Sequence, residues 1–307
     1  MTKETQAKEA PANEASVSEV PVVRTLWGSV WAYRLIRLGL GLFCALGIGL
    51  MLYPALQRVF FTVRSMELAD EYQAVLDATD DEVIEQEWVM AQEYNRARVY
   101  NEMHDVNTIT DPFAGDARTK ELNDEYWSLV NPMGNGMMGY MDIPRIGQRL
   151  NIYHGTDDDA LLKGIGHIQG TSLPVGGKGT HCILSGHRGL PGAKILTDVD
   201  QMEIGDLIRV HVLNHNLAYE VDQILTVKPE EISAVDIIEG ADLLTLVSCT
   251  PYAVNTHRLL VRGHRVPYVE EDPTLMQRLW PYRWLILGLL LVVIIVLVRR
   301  WRRRRAA

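Results

Sequence analysis

Hydrophobic positions fall into two regimes along the chain: unbroken runs near both ends and short punctuated runs between them. Between Arg37 and Arg58 lies LGLGLFCALGIGLMLYPALQ, 20 residues without a charge. As a helix that length crosses a hydrocarbon layer of about 30 Å. Between Arg283 and Arg299 lies WLILGLLLVVIIVLV, 15 residues. Trp280, Tyr282, Trp284 and Trp301 sit where interfacial aromatics belong, and Arg283 can snorkel, so this run is also expected to span. A cleaved signal peptide is the alternative for the first run; its length and the missing small-residue cleavage pattern argue against it.

Between the runs, the pattern is first helical and then strand-like. Over Val59 to Tyr100, Leu68, Tyr72, Val75 and Leu76, then Val83, Ile84, Trp88 and Met90, recur at three- and four-residue spacing among acids. The DATDD break around Asp80 predicts two helices. The chain from DPFAGDAR to NPMGNGMMG reads as loop, with a short helical patch near KELNDEYWSLV. After that come MGYMDIPRIG, LNIYHGT, HCILSGH, DLIRVHVL, LAYEVDQILTV, LLTLVSC and RLLVRGHRV, separated by Gly, Pro, Asn and Asp. Such strands predict a mainly β fold, a closed or nearly closed barrel of about eight strands with N-terminal helices, flanked by two transmembrane helices. Several runs are continuously apolar, so their facing is not legible from pattern.

The expected organisation is a disordered cytoplasmic tail (1–34), a transmembrane helix (35–57), an extracytoplasmic helical segment (58–108), a connector loop (109–134), the barrel (135–268), a linker (269–279), a second transmembrane helix (280–298) and a basic tail (299–307). RRWRRRRAA carries six arginines directly after the second run, which places both termini in the cytoplasm and the barrel outside. The formal charge is −9, and removing those six gives −9 − 6 = −15 for the rest. An acidic chain with a basic membrane-side anchor fits contact with lipid and not with nucleic acid. The three cysteines, Cys44, Cys182 and Cys249, build no disulfide framework. Sequence leaves a single Cys182–Cys249 bridge open.

TLVSCTPYAVNTHRLLVRGHR, Thr245 to Arg265, carries the candidate chemistry. A thiol attacks as thiolate, so it needs an acid/base partner or a positive field, and an acyl oxyanion needs a fixed donor. If the two apolar runs pair antiparallel, Cys249 faces Arg258 across the hairpin mouth. Of nine histidines, His187 in ILSGHRGLPG ends a strand-like run and opens a Gly/Pro loop, and is the expected base. His257 is expected on the opposite face, and His264 deeper in the last strand. Cys182 reads as a small buried hydrophobe, and Arg262 as a structural residue that could otherwise serve as oxyanion donor. VGGKG reads as a turn and HGTDDD as helix-start acids; neither matches a phosphate loop or a calcium loop.

The same stretches resemble a known family. TLVSCTPYAVNTHRLLVRGHR looks like the cysteine–arginine signature of sortases, class C in particular. IYHGTDDDALLKGIGHIQGTSLPVGGKGTHCILSGHRGLPGAKILTDVD resembles the histidine-bearing half, and NPMGNGMMGYMDIPRI the start of the barrel. The resemblance covers residues from about 60 to 268, and a second membrane span is typical of the class. It implies a sortase-type barrel and a catalytic triad of His187, Cys249 and Arg258. It also implies cleavage of an LPxTG-like sorting signal between Thr and Gly, with transfer of the acyl group to a lysine amine of another pilin subunit, and no metal or organic cofactor. TITDPFAG resembles the class's lid, which would pair Asp111 with Arg258 and lay Phe113 over the Cys249 sulfur, with Pro112 between them.

Three positions depart from the pattern. Ser248 replaces the usual threonine and keeps a hydroxyl for substrate contact, Ala253 replaces a common glycine and implies no positive φ there, and Asn151 replaces a proline. Competing readings are a sortase that anchors proteins to peptidoglycan, an L,D-transpeptidase, whose Cys and Arg lie much closer in sequence, and a non-catalytic peptide-binding module.

Overall fold

The computed structural model describes residues 30–102, 124–229, 231, 236–270 and 282–305. Helix α1 (Val30–Asp77) and α2 (Asp81–Glu102) are followed by the short α3 (Asp124–Ser128). The strands are β1 (Met137–Ile143), β2 (Gln148–His154), β3 (Ile165–His167), β4 (Thr180–Ser185), β5 (Leu207–Val212), β6 (His215–Val227), β7 (Asp242–Thr250) and β8 (His257–Val266). Helix α4 (Asp158–Lys163) lies between β2 and β3, and α5 (Arg283–Arg305) follows the last strand. The chain divides into two compact units, the first ending at Met51 and the second beginning at Leu52.

Within the second unit the strands close a barrel in the order β1-β2-β3-β4-β7-β8-β6-β5. The β2–β3 and β4–β7 pairs are parallel and the others antiparallel. Seven strands coincide with the expected runs. The eighth, β3, has three residues and is too short to show a period. Alternation along β7 sends Leu244 and Leu246 into the main core, while Val247 joins Ile168, Ile183 and Leu260 in a separate apolar strip on the other face.

The helical stripe packs as its spacing demands. Tyr72 and Leu76 of α1, with Ile84, Trp88 and Ala91 of α2, are buried in the barrel's core cluster, whereas Val83 and Met90 are about half exposed. The Tyr72 hydroxyl donates to the Met138 carbonyl at 2.8 Å and accepts from the Leu213 amide at 3.1 Å, which fixes α1 against β1 and the β5–β6 turn. Asp80 breaks the two helices as expected: its carboxylate accepts from the Glu82 amide, and Asp81 and Glu82 occupy the first turn of α2.

The expected change from transmembrane to extracytoplasmic segment, at residue 57, falls inside α1. α1 runs through it unbroken, because polarity changes there but no residue interrupts helical backbone. Among the described residues one helix is long and apolar enough to cross a membrane, namely the part of α1 that begins at Tyr33. In α5 the apolar stretch is shorter, Leu285–Ile294.

Candidate active site

Strand register brings the predicted residues together. Cys249 and Arg258 are direct cross-strand partners in the β7–β8 hairpin. In the parallel β4–β7 pair, Ser185 is opposite Val247, an offset of 247 − 185 = 62. The Gly186 amide continues that ladder to the Val247 carbonyl at 3.1 Å. Two residues past the end of β4, His187 falls at the same offset from Cys249, 249 − 187 = 62. Three residues distant in sequence therefore reach the same end of three neighbouring strands.

Burial differs among them. Cys249 and Arg258 are each 7% exposed and His187 is half-buried. Burial pushes the His187 imidazole below its ordinary value, with Asp158 pulling weakly the other way. That direction favours the neutral imidazole, the form able to accept a proton. One terminal nitrogen of Arg258 donates to the Asn255 and His257 carbonyls, both at 3.1 Å, which holds the guanidinium at the hairpin mouth. Cys249 and Arg258 share strand parity with Val247 and Leu260, so the outer apolar strip begins directly beside the thiol.

Two expectations change. Ser248, expected to touch substrate, is fully buried; its parity is that of the core-facing Leu244 and Leu246, and its hydroxyl donates to the Gly186 carbonyl at 2.8 Å. It ties β7 to the chain leading into His187. Ala253, expected to avoid positive φ, has φ +63°, and Asn255 has φ +61°. The Val254 and Asn255 amides both bond the Pro251 carbonyl at 3.0 Å, and this tight reversal imposes the left-handed geometry at a cost of about 1–2 kcal/mol for an alanine.

The rival residues are engaged elsewhere. Cys182 is 1% exposed within the core, where burial raises its thiol well above the usual range. No disulfide joins it to Cys249. Arg262 forms a fork with Asp222 at 2.9 and 3.1 Å. The ring of His257 meets the Thr256 hydroxyl, and His264 is exposed near Asp222. The HGTDDD acids start α4, with Asp157 accepting from the Ala160 amide. Asn151 lies in β2 opposite Tyr140, fully buried. Asp111, Pro112 and Phe113 lie outside the described residues.

The sortase domain family matches residues 141–266. Sortase C of Streptococcus pneumoniae is 39% identical, with 67% of this chain and 100% of that one covered at a TM-score of 0.59. Sortase C1 of Streptococcus agalactiae is 40% identical, covering 66% and 100%, at a TM-score of 0.58. Sortase C-1 of Actinomyces oris is 40% identical, covering 60% and 99%, at a TM-score of 0.55. Sortase D of Bacillus subtilis is 28% identical over 131 residues, which span 42% of this chain and 63% of that protein. The chain belongs to the sortase family of cysteine transpeptidases. Its structural neighbours are class C sortases.

Proposed function

We propose that this chain is a membrane-anchored, pilin-polymerising sortase. It cleaves an LPxTG-like signal between Thr and Gly and joins the threonine to a lysine amine of another subunit. What supports the reading is the Cys249–Arg258 cross-strand pair of β7 and β8, with His187 just past the end of the neighbouring β4. The streptococcal relative is described in connection with pilin substrate specificity, which favours pilins as substrates.

The chemistry follows from those three groups. His187 takes the Cys249 proton, and the thiolate attacks the threonine carbonyl carbon while Arg258 holds the developing oxyanion. The C–N bond to glycine breaks, and the glycine amine leaves with the proton from His187. A lysine amine then attacks the thioester, its proton passes to His187, the C–S bond breaks and an isopeptide bond remains. We place the barrel outside the membrane between two spans, with both termini cytoplasmic, on the strength of the apolar start of α1 and the arginines that close α5.

Co-expression of the full chain with a pair of pilins tests the acceptor. Covalent ladders on denaturing gels that vanish with Cys249→Ala are expected. Pilin recovered only on peptidoglycan fragments would shift the reading to wall anchoring.

A lid formed by Asp111, Pro112 and Phe113 belongs to the same proposal. In the full chain in detergent, Asp111→Ala or Phe113→Ala is expected to speed labelling of Cys249 by a small thiol reagent several-fold, about 3- to 10-fold if an aromatic face and an ion pair are lost together. Unchanged labelling rates in both variants would remove the lid from the account.

A further inference from the structure

We infer that Arg188, which the proposed chemistry does not use, is a positioning residue: its guanidinium ties the loop carrying His187 to the end of the strand carrying Cys249. The roles of those two side chains rest on the function proposed above; the contacts do not.

His187 lies beyond the last residue of β4, so ladder bonds of the strand itself do not hold it. Side chains continue the join instead. The Ser248 hydroxyl reaches the Gly186 carbonyl, and two residues further Arg188 Nη1 donates to Thr250 Oγ1 at 3.1 Å. The offset is again 250 − 188 = 62, so the guanidinium extends the β4–β7 register past the end of its backbone pairing.

The remaining arms of the fork close the loop. Nε of Arg188 donates to the Thr197 carbonyl at 3.1 Å, next to the Leu196 amide that bonds the His187 carbonyl at 3.1 Å. Nη2 pairs with Asp200 at 2.6 Å, on the short 3-10 turn Val199–Gln201. The Tyr252 ring lies 6.0 Å from the guanidinium carbon and packs on Gly189, whose φ is +82° and where an added Cβ would come within 2.9 Å of the ring. One side chain, 7% exposed, thus joins the strand end, the base of the loop and the following turn. Only a planar fork with several donors can do this; a lysine keeps the charge and loses the geometry.

The full chain in detergent is assayed for transfer from a sorting-signal peptide to an amine, at a temperature where circular dichroism shows each variant folded. Arg188→Met is expected to lower kcat by roughly 30- to 100-fold, the scale of a displacement of about 1 Å between reacting groups, with KM changed less than about 3-fold. Arg188→Lys should rescue little. Thr250→Val should cost about 5-fold, and Arg188→Met/Thr250→Val should be no worse than Arg188→Met, because both remove one shared contact.

A second readout does not depend on the proposed substrate. The pH profile of Cys249 alkylation by iodoacetamide should move in Arg188→Met toward that of His187→Ala. If the wild type transfers no peptide, the function reading fails, while the alkylation profile still decides the positioning role. Should Arg188→Met not fold, Thr250→Val and Asp200→Asn decide it by the same two readouts. A wild-type kcat and an unmoved profile in folded variants would overturn the inference, as would additive losses in the double variant.

Discussion

Cys249→Ala in the full chain is expected to abolish hydroxamate formation from an LPxTG peptide and hydroxylamine. The loss should be roughly 10⁴-fold or more, the scale seen when the nucleophile is removed from a cooperating set of catalytic groups. The exchange deletes one sulfur from a side chain only 7% exposed and leaves the β7–β8 ladder intact, so folding should change little. Cys182→Ala is the natural control, since that thiol is held inside the core and its burial keeps it protonated. Equal hydroxamate from wild type and Cys249→Ala would rule out a thioacyl intermediate on Cys249.

Arg258→Ala should lower kcat by about 10²- to 10³-fold, as removal of one donor from an oxyanion site does. Arg258→Lys should recover only part of that, because an ammonium cannot reproduce the guanidinium's directed donors. The contrast is with Arg262, four residues along the same strand. It is paired with Asp222, so Arg262→Ala should affect stability and leave kcat near wild type. A larger kcat loss at Arg262 than at Arg258, measured in folded protein, would assign the oxyanion to the wrong arginine here.

The barrel was readable because its strands are punctuated by turn residues, and the helices because Tyr72, Leu76, Ile84 and Trp88 keep a 3.6-residue stripe. What escaped was whatever depends on facing. LLTLVSC is apolar on both sides, so sequence could not separate the core-directed Leu244 and Leu246 from the strip that leads to Cys249. For the same reason Ser248 read as a substrate contact although its hydroxyl turns to Gly186. Its adjacency to the cysteine was visible, but its parity was not.

Ala253 failed differently. A residue's permissiveness says which φ it prefers, while the closure of a six-residue loop between two paired strands decides which φ it must take. The site itself was more legible than its supports. Cys249 and Arg258 bracket a hairpin loop, and His187 follows closely on a strand, so local pattern singles out all three as candidates. Arg188 looks like an ordinary loop arginine until the β4–β7 register sets Thr250 beside it.

The central claim is that Cys249 becomes covalently acylated, with His187 and Arg258 in the roles proposed for them. Intact-protein mass spectrometry of the full chain after incubation with a sorting-signal peptide tests it most directly. The account predicts a mass increase equal to the peptide's acyl portion through threonine, mapped to Cys249 and released by hydroxylamine. Peptide turnover without that adduct, or the adduct on Cys182 or Cys44, would contradict it.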